Sequence, residues 1–88
     1  MNEVRTAEDI YPALREIIEE MRRTGLERQA AILTHRMTKV AWTSRDELFE
    51  ELVKVLADVE ATQGPSMPTL LSDQVRLILK KLRGFVSE

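Results

Sequence analysis

Residues 44–61 read SRDELFEELVKVLADVEA, and their apolar side chains recur at three- and four-residue steps. Leu48, Leu52, Val55, Leu56 and Val59, with Phe49 and Val53 alongside, gather on one broad face of an α-helix at a period of about 3.6. A lone helix cannot hide such a face, so the rest of the chain has to cover it. Ser44 followed by Glu47 is a capping-box pattern. The hydroxyl and the carboxylate can each take a backbone donor that the first helical turn leaves unpaired, which marks the start of the helix.

The flanking segments carry matching faces. Ile10, Leu14, Ile17, Ile18 and Met21 predict a helix over 10–24. A proline inside a helix clashes with the preceding turn, so Pro12 belongs in the first turn, with Asp9 or Tyr11 as the cap and a loose turn over 6–9. Gly25 supplies the left-handed residue that ends a helix, and Leu26 can then fold back onto Met21. A second helix, over 26–42, places Leu26, Ala30, Leu33, Met37, Val40 and Ala41 within a stripe of about 100°. The 44–61 stretch corresponds to a helix over 45–62, stopped by Gly64, Pro65 and Pro68. In the last helix, over 69–86, Leu71, Val75, Ile78, Leu82 and Phe85 form the core face. Ser72 or Thr69 would cap it, and Gly84 loosens its final turn.

Short connections make sequential helices neighbours. The expected architecture is an all-α, up-down-up-down four-helix bundle forming one domain over 1–88, with residues 1–9 a frayed segment. The alternative is a three-helix core with a crossing C-terminal helix. Charge agrees with sequential pairing. Residues 7–23 sum to −2, 24–42 to +2, 44–62 to −4 and 70–88 to +2, so successive helices alternate in sign. Such pairs set register more than stability, because exposed ion pairs are worth only tenths of a kcal/mol.

The 88 residues contain no cysteine and one histidine, His35. One histidine without thiolates cannot build a usual zinc site. The carboxylate pairs Glu16/Glu20 and Glu47/Glu51 lie opposite the apolar stripes of their helices, without the Glu-x-x-His partners of a di-metal bundle. The serines lack a strand-turn-helix elbow, and the isolated glycines form no phosphate-binding loop. No catalytic residue, metal or cofactor is therefore expected. The amino terminus shows no apolar leader and no apolar run approaches the ~18 residues of a membrane span, so the expected location is the cytoplasm, away from membranes. Arg76, Lys80, Lys81 and Arg83 form the densest basic cluster, but with a net charge of −2 and no DNA-binding motif the chain is a poor candidate for nucleic acid.

A protein partner fits better. Ala31, His35, Thr38 and Trp42 recur on the side of the second helix opposite its core stripe, with Ile32 between the two stripes. Leu70 and Leu77 are similarly off the main stripe of the last helix. Surplus apolar surface of this kind marks a contact face, or a helix covered on two sides. The sequence thus points to a small non-catalytic protein–protein interaction module, with a homodimer as one form. One alternative is an inhibitor or immunity-type protein whose acidic face, Glu47, Glu50, Glu51 and Asp58, binds a basic partner. The other is a weak nucleic-acid binder using the basic C-terminal helix.

Overall fold

The computed structural model describes residues 4–39 and 42–86. Its helices are α1 (Ile10–Arg23), α2 (Glu27–Thr38), α3 (Arg45–Gln63) and α4 (Thr69–Val86), with 3₁₀ turns at Ala7–Asp9 and Gly64–Ser66. Sequential helices pack on one another and α4 returns to α1, closing the ring of an up-down-up-down bundle. α4 packs against both α3 and α1, as the fourth member of the bundle. The α3 face is the one that the others cover: Leu48, Phe49, Leu52, Leu56 and Val59 are all buried. Phe49 joins three helices, its ring 6.1 Å from that of Tyr11 and 6.2 Å from that of Phe85, while the Arg45 guanidinium lies 5.9 Å over it.

The turns follow local chemistry. At the end of α1, Gly25 has φ 89°, the Leu26 N–H donates to the Met21 carbonyl at 2.8 Å, and the Gly25 N–H to the Arg22 carbonyl at 3.5 Å. This is a Schellman motif, and Leu26 and Met21 close it inside the core. At the start of α3 the Glu47 N–H donates to Ser44 Oγ at 3.2 Å. The Glu47 carboxylate reaches one residue further back than expected, to the Thr43 N–H at 3.2 Å and the Thr43 hydroxyl at 2.8 Å.

Three expectations are corrected. Residues 4–9 are built into the fold: Val4 is buried, and the Asp9 carboxylate accepts the backbone N–H groups of Arg5 at 2.9 Å and Thr6 at 3.0 Å. Asp9 therefore caps the 3₁₀ turn before α1, and residues 1–3 lie outside the described residues. Ser72 is a buried residue within α4 whose N–H donates to the Pro68 carbonyl at 2.9 Å, so it does not cap that helix. Finally, α2 stops at Thr38, not Trp42. The last four carbonyls of a helix have no partner within it, and the Trp42 indole Nε1–H donates to one of them, that of Arg36, at 2.6 Å. Trp42 folds back half-buried against the core instead of extending the helix. Val40 and Ala41, expected on the core stripe, lie outside the described residues.

Charge alternation becomes cross-linking. Acidic α3 is tied to α2 by Arg36–Glu51 at 3.2 Å and to α4 by Arg76–Glu60 at 2.8 Å, and Arg45 of α3 reaches Glu8 at 3.0 Å.

Candidate interaction grooves

α2 sorts its outward residues by where they stand around the helix. Gln29, Ile32 and Arg36 turn toward α3, whereas Thr34, Met37 and Thr38 turn toward α1. Ile32 is 37% exposed and overlooks a groove of about 440 Å³ floored by Val55 and Val59 of α3. Arg28, Lys54 and Asp58 stand exposed on its rim. Among the described residues these three enter no ion pair, while Arg36 at one end is engaged by Glu51. On the other flank, Thr38 borders a smaller depression of about 250 Å³ beside Ile18 and Arg22 of α1, and its hydroxyl donates to the Thr34 carbonyl at 2.7 Å.

The predicted contact stripe thus divides. Ala31, Ile32, His35 and Thr38 remain exposed, but Trp42 leaves them to close the end of α2. The His35 ring is exposed, with Nδ1 3.4 Å from the Arg36 guanidinium. Among the described residues no group of three His, Asp or Glu side chains could hold a metal ion. Leu70 is 66% exposed at the start of α4. Leu77 belongs to a separate groove of about 370 Å³ between α4 and the segment at Val4 and Arg5. The structure does not bring Ile32, Leu70 and Leu77 into one patch.

The acidic face is similarly divided. Glu47 is spent on the Thr43 cap, Glu51 is bound by Arg36, Glu50 is exposed, and Asp58 stands among Arg28, Arg36 and Lys54. Of the basic cluster, Arg76 is held by Glu60 and approached by Asp73 at 4.0 Å, which leaves Lys80, Lys81 and Arg83 exposed. Among the described residues no helix is long and apolar enough to cross a membrane.

No protein family, no curated protein and no solved structure matches the chain.

Sequence reasoning missed the groove residues Arg28, Arg36, Lys54, Val55 and Val59 as a set. A signal was present. Folding α2 and α3 antiparallel about their short connection sets Ile32 opposite Val55 and Arg36 opposite Glu51. Nothing pointed to Val4 and Arg5, because their segment reads as polar and free.

Proposed function

We propose that the protein is a small, non-catalytic, self-associating interaction module of the cytoplasm whose copies meet through the α2–α3 groove. The observation that supports this reading is Ile32, exposed over an apolar floor and ringed by charges of both signs. An isologous interface must be complementary to itself. A two-fold axis passing near Ile32 stacks the two isoleucines and sets Asp58 of one copy against a cation of the other. A purely acidic or purely basic partner would instead leave one rim charge facing its like, which is costly. The inhibitor reading is weaker because the intended acidic face is partly neutralised within the chain by Arg36.

Sedimentation at several concentrations tests the reading. The wild type is expected to dimerise and to dissociate on dilution. Ile32→Ser and Asp58→Arg should each give monomers with an unchanged melting curve in dilute solution, because neither side chain is buried. Trp42 is left intact, since its removal would disturb the fold and the interface together. A wild type that stays monomeric at high micromolar concentration would refute self-association.

A further inference from the structure

Leu77, Lys80, Lys81 and Gly84 recur at three- and four-residue steps on α4 and so share one face. Leu77 is 40% exposed, and with Val4 and Phe85 it forms the apolar floor of the 370 Å³ groove. Two observations distinguish this face. The first is charge: among the described residues that line the groove, Lys80 and Lys81 are exposed cations and none is acidic. Among the described residues Lys80 and Lys81 enter no ion pair, whereas Arg76 one turn earlier is neutralised by Glu60. The second is Gly84. It lies in the last turn of α4, and a Cβ built there would meet nothing within 4 Å. The fold does not need a glycine at that place, and its open backbone allows a second chain to approach closely.

We propose that this groove binds an acidic amphipathic helix of another protein. Apolar residues of that helix at three- and four-residue spacing would sit on Leu77 and Phe85, its carboxylates would face Lys80 and Lys81, and its backbone would pass over Gly84. The apolar floor favours a peptide over a nucleic acid, which is held chiefly by its phosphates. The concave shape favours a peptide over a lipid surface, which takes up a convex apolar face. The groove stands apart from Ile32, so this proposal and the self-association reading can fail separately.

Selecting a random displayed peptide library against the full chain, then measuring the affinity of the enriched peptides, tests the proposal. Enrichment of Asp and Glu with apolar residues at helical spacing is the expected result. The Lys80→Glu/Lys81→Glu variant should bind those peptides at least about tenfold more weakly, equivalent to about 1.4 kcal/mol. Gly84→Leu should also weaken them while leaving the fold intact by circular dichroism, and Arg28→Glu, in the other groove, should have no effect. A failure to enrich, enriched peptides without acidic bias, or equal binding by the Lys80/Lys81 variant would overturn the proposal. It would also fall if a single-stranded oligonucleotide or phosphatidylserine vesicles bound more tightly than any peptide and lost that binding in the same variant.

Discussion

Asp9 shows how one side chain can build a segment that looks free from composition alone. Its carboxylate accepts the N–H groups of Arg5 and Thr6, and these bonds, that of Arg5 first, hold its pKa below the ordinary aspartate value of about 3.9. A carboxyl with a lower pKa in the folded than in the unfolded chain adds stability above the unfolded value, and that stability is lost as pH falls through the folded value. Asp9→Asn should therefore lower the melting temperature near neutral pH, and the gap to wild type should narrow below about pH 4. Melting curves across a pH series check this. A gap that stays constant into strong acid would show that the charge of Asp9 contributes nothing.

The helices differ in how their ends are secured, and this explains which boundaries the sequence makes legible. α1 and α3 end or start on residues close in sequence: Gly25 with Leu26 at one, through their backbone N–H groups, and Ser44 with Glu47 at the other. Both are legible because their caps need only local spacing. The end of α2 is not, because a carbonyl of its last turn, that of Arg36, is met by an indole from beyond the turn. A Trp N–H seeks an acceptor when half-buried, and an open helix end offers several. Trp42→Phe keeps the ring and removes the donor, so it should cost about 0.5–1.5 kcal/mol, read from urea melts. No loss would mean that only the ring packing holds Trp42 in place.

The whole bundle rests on a thin margin. Scaled to 88 residues, the net stability of a folded chain is roughly 4–13 kcal/mol. Leu52 is wholly buried at the centre of the α3 face. Leu52→Ala opens a cavity that four helices cannot all close, with an expected cost of about 2–5 kcal/mol. That is a large share of the total, and thermal or urea melts would show it. A loss under about 1 kcal/mol, typical of surface changes, would mean that the core is not centred there.

Among the described residues the number of helices, their boundaries near 24, 45 and 86, and the buried faces of α1, α3 and α4 are determined by the order of residues, because periodicity, caps and breakers act over one or two turns. Only the tertiary structure decides which surplus side chains remain outside. Ile32 and Trp42 share one apolar surplus in the sequence, yet one overlooks a groove and the other closes a helix end. Glu51 and Arg76 look like members of charged faces, yet each is taken by a neighbouring helix. Val4 reads as part of a loose end and is core. The physical reason is the same in each case: the free energy of these groups depends on what faces them across the bundle, and that depends on how the helices are turned toward one another.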